Sequence, residues 1–221
     1  MTPTLLDPDE SPEAHSFADT WLYRSDLALL GYLLQDLRAL IRRAVRGENE
    51  LVAYQTLTWE VHELQRRTVI CDPQSLMTDH EVHVVGFFGE RRAVADDVAI
   101  DDVEVQLLAE FESYPGILSY SSVELVDKQW ANLVVHTAPD DREQWRQSAV
   151  HVHAVDELAP VVYHNVRIHN GCLPGGVPGI ETIVIESTKY WDYDCSPVWH
   201  AFRELPQGAH EIVEIPGAEL T

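Results

Sequence analysis

Apolar residues change their spacing several times along this chain, and each change marks a different kind of element. Between residues 25 and 47 they recur as Leu27, Leu30, Leu33, Leu34, Leu37, Ile41 and Ala44, the 3.6-residue period of a helix with one buried stripe. Ser25-Asp26 stands before the stripe as a cap, and Gly47 ends it. Arg38, Arg42 and Arg46 form an i,i+4 row on the same helix, expected to be solvated or paired with carboxylates. Residues 51–68 continue with Leu51, Tyr54, Leu57, Val61 and Leu64 and read as a second helix, although Val52, Thr56 and Thr58 also allow a strand. Residues 21–80 are thus expected to be a helical extension. An acidic, proline-bearing arm at 1–20, expected to be mobile, precedes it.

From residue 81 the pattern switches. VHVVGFFG at 82–89 is a buried strand, 101–114 a helix stopped by Pro115-Gly116, 117–126 a strand, 127–129 a turn, and WANLVVHT at 130–137 another strand. Pro139-Asp140-Asp141 opens a helix expected to run from 142 to 158, its acidic residues suited to the N-terminal dipole. A last strand spans 161–169. The order β-α-β-β-α-β is the split βαβ arrangement of ferredoxin-like α+β domains, placed at 81–175. Residues 176–221, with short strands expected at 183–186 and 211–215, read as a C-terminal arm over the sheet or a neighbouring subunit. Helices on one face leave the other sheet face apolar, so a homodimer is expected.

Composition narrows the partners. With 15 basic and 37 acidic residues the net charge is −22, which repels phosphate backbones and anionic lipid and argues against nucleic acid and membrane. The first 20 residues carry neither a basic region nor an apolar block, so a cytoplasmic protein is expected. Cys71, Cys172 and Cys195 are odd in number and lack CxxC spacing, which argues against a disulfide scaffold or a zinc knuckle.

Candidate chemistry concentrates at 142–174. Trp145, His151, His153, His164 and His169 lie within 25 residues, and imidazoles serve proton transfer or ligation near neutral pH. At 100° per residue Trp145, Ser148, Val152 and Val155 share the buried face of one continuous helix. His151 sits about 70° from its middle and His153 on the far flank. As i and i+2 on a helix the two histidines diverge and do not chelate one metal. On the strand at 130–137, Asn132, Val134 and His136 share a face; if it meets the helices, Asn132 and His136 stand beside His151. Arg167 and His169 suit an anionic ligand.

The strand VHVVGFFG, the helix ending at Tyr114-Pro115-Gly116, the Gly-Ile-Leu-Ser strand after it and Trp145-Arg-Gln-Ser148 resemble the dimeric α/β-barrel superfamily over residues 81–170. The nearest kin in pattern are the antibiotic-biosynthesis-monooxygenase-like domains and small haem-degrading monooxygenases. The resemblance implies a homodimer with a small-molecule cavity between sheet and helices, and an oxygenase-like oxidoreductase acting on an apolar or aromatic substrate. Phe87, Phe88, Trp145, Ser148 and Val152 would line the pocket. His151 would be acid/base or haem ligand, the one metal contact if haem is bound, with Asn132 or His136 polarising an oxygen and Trp145, Arg167 and His169 beside the cofactor. In the haem degraders the ligating histidine follows the tryptophan by ten residues. Here that position is Val155, and His151 and His153 follow Trp145 by six and eight. The alternative is a non-catalytic haem- or ligand-binding module, or a structural dimer.

The charge excess makes one prediction directly. Carboxylate repulsion opposes compaction at low ionic strength, and salt screens it as the Debye length falls from roughly 30 Å at 10 mM to 3 Å at 1 M. The melting temperature is expected to rise over that range in differential scanning fluorimetry; a flat or falling trend would show that the acidic residues are mostly paired.

Overall fold

The computed structural model describes residues 2–61, 64–93, 97–125 and 129–206, without the side chains of 97–102 and 104. The strand expected at 211–215 and residues 127–128 of the expected turn lie outside them. Among the described residues one nine-stranded sheet runs through the molecule. Its strands are β1 (Thr4–Leu6), β2 (Gln55–Val61), β3 (Leu64–Ile70), β4 (Val82–Arg91), β5 (Ile117–Glu124), β6 (Trp130–His136), β7 (Tyr163–Leu173), β8 (Val184–Asp192) and β9 (Trp199–Glu204), in spatial order β1-β9-β8-β7-β4-β6-β5-β3-β2. The helices are α1 (Thr20–Val45), α2 (Pro73–Leu76), α3 (Asp97–Glu110), α4 (Pro139–Arg146), α5 (Ala149–His153) and α6 (Ala159–Val162).

The expected β-α-β-β-α-β order holds for β4-α3-β5-β6-α4/α6-β7, and these strands lie in the order β7-β4-β6-β5. That is the 4-1-3-2 arrangement of a split βαβ unit. The sheet extends on both sides of this centre. Residues 51–68 are not a second helix. The β2–β3 hairpin pairs Gln55 with Ile70 through Val61 with Leu64, and β3 pairs antiparallel with β5. The β-branched Thr56, Thr58, Thr68 and Val69 fit the pleat, and Val69 and Ile70 are buried by it. The segment 176–206, expected as an arm over the sheet or a neighbouring subunit, instead joins the sheet: β8 and β9 continue it antiparallel beyond β7. The N-terminal arm is also structured over its described residues. Thr4–Leu6 pairs parallel with Ala201–Arg203, and the buried guanidinium of Arg203 donates to the carbonyls of Asp7 and Ala18.

The largest correction concerns the second sheet face, expected to meet another copy. The chain's own α1 covers it. Leu30, Leu33, Leu34, Leu37 and Ile41 are 0–3% exposed against Val82, Val84, Phe88, Ala131, Leu133 and Val135. Gly86 of β4 lets the helix approach, since a Cβ there would stand 2.6 Å from Leu30 Cδ1. The apolar surface that called for a partner is therefore satisfied within one chain. The arginine row divides: Arg38 is buried and donates to the Val177 and Glu181 carbonyls at 2.8 and 2.7 Å, while Arg46 pairs at the surface with Glu48. Among the described residues no helix is long and apolar enough to cross a membrane.

One polar cluster lies inside this contact. Asp26, 4% exposed on α1, accepts from Arg167 Nε and Nη2 at 2.7 and 2.8 Å and meets His169 Nε2 at 3.0 Å. His169 Nδ1 bonds Thr188 Oγ1 at 2.8 Å. Burial raises the Asp26 pKa, but the hydrogen bonds from His169 and Arg167 outweigh it and the net shift is downward. A carboxyl lowered on folding stabilises above the unfolded carboxylate range, near pH 4, and loses that contribution as pH falls through the folded value. Asp26→Asn leaves Arg167 buried without its counter-ion and is expected to cost about 3–5 kcal/mol in urea unfolding at pH 7, a loss that shrinks toward pH 3. A cost below about 1 kcal/mol at pH 7 would show that water compensates the cluster.

Candidate functional site

Alternation along β6 sends Ala131, Leu133 and Val135 to α1, and Val134 and His136 to the opposite face under α3 to α6. The polar face of β6 therefore does meet the helices. On α4, Pro139 occupies the first turn, and the Asp141 carboxylate accepts the Ala138 N–H at 3.0 Å. α4 then stops at Arg146. Ser148 begins a new helix, its Oγ accepting the His151 N–H at 3.0 Å and donating to Glu110 Oε2 of α3 at 2.7 Å. A π-helical stretch, Ala154–Leu158, separates α5 from α6, a distortion frequent beside functional sites.

This break rewrites the helical phase. Trp145 is buried, yet Val152 and Val155 are 43% and 41% exposed, because the 100° count does not carry across residues 147–148. Val152 is no pocket residue. His151 instead folds back onto Trp145, ring centroids 4.8 Å apart at 78°. His136 lies 6.3 Å from the tryptophan ring, and Phe111 packs edge-on to it at 5.6 Å. His136, Trp145 and His151 thus form one row of rings between sheet and helices. His153 turns outward and pairs with Glu157 at 3.2 Å.

The row is short of hydrogen bonds. His136 is 0% exposed, yet neither Nδ1 nor Nε2 has a partner among the described residues, and Trp145 Nε1 is likewise unpaired. Each such atom costs about 1–3 kcal/mol, so three together are an arrangement that a well-filled core avoids. Burial, then the charges of Arg142 and His83, pushes the His136 pKa down to about 3. Burial, then Arg146, pushes His151 down to about 4. Both imidazoles are neutral at pH 7, and each presents one donor and one acceptor nitrogen. They are weak bases but suitable partners for an uncharged carbonyl or hydroxyl oxygen.

The remaining expected residues divide between the two faces. Phe87 and Asn132 are a half-buried cross-strand pair on the helix side, but four residues, roughly 13 Å, separate Asn132 from His136 along β6. Phe88, Arg167 and His169 are on the α1 face, where Arg167 lies over the Phe88 ring at 5.4 Å and both residues of β7 serve Asp26. A shallow cleft of about 200 Å³ opens there beside Phe17, Trp21 and Trp130, with the sheet between it and His151. Sequence reasoning missed Glu110, which fixes Ser148, and Arg142, which donates to Asn170 Oδ1 at 2.9 Å and sets part of the field at His136. Neither stands out by spacing. The residues present do not fit a haem. The ring of His151 is edge-on to Trp145, which is itself packed on Phe111, so a flat macrocycle has no slot on the tryptophan side of that imidazole.

No protein-family model matches the chain, and no curated protein matches it. Two solved structures are similar in part. One is protein SO0527 from Shewanella oneidensis, 8% identical with a TM-score of 0.38, covering 43% of this chain and 93% of that one. The other is SnoaB, a cofactor-independent oxygenase from Streptomyces nogalater, 17% identical with a TM-score of 0.32, covering 42% of this chain and 90% of that one. Both are too distant to assign an activity.

The row makes a pH prediction. Since His136 titrates at about 3 when folded and near 6.5 when unfolded, the unfolded chain binds an extra proton between those values. Stability is then full above pH 6.5 and falls as pH drops toward 3. His136→Leu removes two unpaired buried atoms and is expected to hold or raise stability at pH 7 by about 1 kcal/mol and to flatten the decline between pH 6.5 and 4 in urea titrations. A loss above about 2 kcal/mol would show that His136 is internally satisfied.

Proposed function

We propose that the His136–Trp145–His151 row binds a neutral, mainly apolar or aromatic molecule carrying a carbonyl or hydroxyl oxygen, and that the chain is an oxygenase-type enzyme acting on it without haem. The observation that carries the binding reading is the set of unpaired polar atoms on two wholly or nearly buried side chains. A ligand oxygen there would satisfy them. Trp145 and Phe111 offer aromatic surface, and Ser148, held by Glu110, sets the His151 backbone.

The neutral His136 imidazole is suited to donating a hydrogen bond to an oxygen on which negative charge develops, the electrophilic role that a lowered pKa favours. His151, half-buried at the edge of the row, is the candidate to receive a proton. The oxygenase part rests on the resemblance of residues 81–170 to the dimeric α/β-barrel superfamily with its antibiotic-biosynthesis-monooxygenase-like domains, an analogy of pattern rather than of site. A second reading, a binding module without turnover, is favoured by the lowered His151 pKa, because an imidazole near 4 is a poor proton acceptor at pH 7.

A panel of hydroxylated aromatic ketones separates these readings. Equilibrium dialysis is expected to show binding that His136→Leu weakens at least about 10-fold, one lost hydrogen bond to a buried partner, while His153→Ala changes it less than about twofold. Oxygen uptake with the bound compounds, lost in His151→Ala, supports the enzyme; binding without uptake supports the module. Equal effects of His136→Leu and His153→Ala would remove the site from this row.

A further inference from the structure

Outside the ring row, three metal-ligating side chains from opposite ends of the chain converge. A ring nitrogen of His15, a carboxylate oxygen of Asp192 and the Cys195 sulfur all lie within 4.8 Å of one another. His15 belongs to the N-terminal segment, Asp192 ends β8, and Cys195 lies in the turn between β8 and β9. From these positions we infer that His15, Asp192 and Cys195 form a binding site for a thiophilic divalent cation of the zinc class, which clamps the N-terminal segment to the β8–β9 turn.

The donor set carries the choice of ion. Imidazole, carboxylate and thiolate are the three protein ligands zinc uses, and soft sulfur disfavours magnesium or calcium. A thiolate and a carboxylate with a neutral imidazole supply two negative charges, matching a divalent cation. His15 and Asp192 are also held in place by their neighbours, as metal ligands require. The His15 ring stacks on Trp199 at 3.8 Å and 15°, with the edge of Phe17 beyond it. The Asp194 N–H donates to Asp192 Oδ1 at 3.0 Å, which leaves Oδ2 facing His15 Nδ1 at 2.9 Å. The Asp194 carboxylate is engaged by Arg92 at 2.7 Å and His164 at 2.8 Å. The cluster differs from an ordinary surface ion pair in that His15 and Asp192 side chains are only 12% and 14% exposed.

The consequence is structural. β1 is a three-residue strand at the sheet edge, joined to β9, and residues 7–18 reach it across the face of the β8–β9 turn. A cation at His15 would fix that path and stabilise the edge by mass action.

The test uses the full chain stripped with a chelator and titrated with zinc, with cobalt(II) as the spectroscopic probe. Wild type is expected to take up one equivalent of zinc, to show a thiolate-to-cobalt charge-transfer band, and to melt at higher temperature with zinc than without. Cys195→Ser and His15→Ala are each expected to weaken zinc binding at least about 10-fold, the scale of loss seen for disrupted metal shells. Cys195→Ser also removes the cobalt band and the thermal gain. Cys172→Ser is expected to change none of these. Matching circular dichroism of the stripped proteins shows that the variants fold. Absence of stoichiometric uptake by wild type would overturn the site and leave His15–Asp192 a simple hydrogen bond. A cobalt band that survives Cys195→Ser would also overturn it.

Discussion

The seating of α1 on the sheet governs the rest of the molecule. Five side chains of its stripe, Leu30 to Ile41, lose essentially all contact with water, which contributes on the order of 10 kcal/mol. The Asp26–Arg167–His169 cluster adds little net energy, because desolvation consumes most of what the charges gain. It supplies position instead. A leucine stripe slides along an apolar sheet at modest cost, but a bidentate carboxylate–guanidinium contact is made at one register only. Hydrophobic burial holds the helix down, and the ionic cluster decides where.

With that face occupied by α1, the row of rings lies on the other. There His136, a histidine on a buried strand, meets Trp145 and His151 brought in by two short helices rather than one long one. Ser148 is the pivot. Its hydroxyl caps α5 and is itself tied to Glu110 of α3, so the placement of the His151 ring depends on a contact between helices that are distant in sequence. The same device leaves three polar atoms without partners in a low-dielectric layer, where an unmet hydrogen bond is most expensive.

Much of this was legible in the chain, and the failures have identifiable causes. The α1 stripe, the strand at 82–89 and the alternation of 130–137 follow from periods of 3.6 and 2 that burial on one side imposes. His151 was visible at the margin of a buried helix face, whereas alternation alone left open which face of its strand, and so His136, would meet the helices. The hairpin at 55–70 was not visible, because Leu57, Val61 and Leu64 fit a helical stripe as well as a strand, and only pairing with β5 decides between them. Val152 was misplaced because Gln147-Ser148 reads as ordinary helix, whereas a serine able to cap its own third neighbour offers the backbone an alternative. Arg167 and His169 alternate correctly on β7; what the sequence hid was that Asp26, 141 and 143 residues away, would claim them.

The parallel pairing of β1 with β9 bears on the order in which the chain assembles. Thr4 lies beside Ala201, so this contact closes a loop of nearly the whole chain, and the entropy of closure grows with that length. During synthesis residues 4–6 emerge long before residues 201–203, the neighbours with which they pair. The three-residue edge is thus the final element to join and, with few hydrogen bonds of its own, the first to open. Until it closes, β9 presents an unpaired strand edge to the surroundings, the kind of surface through which chains recruit one another into aggregates.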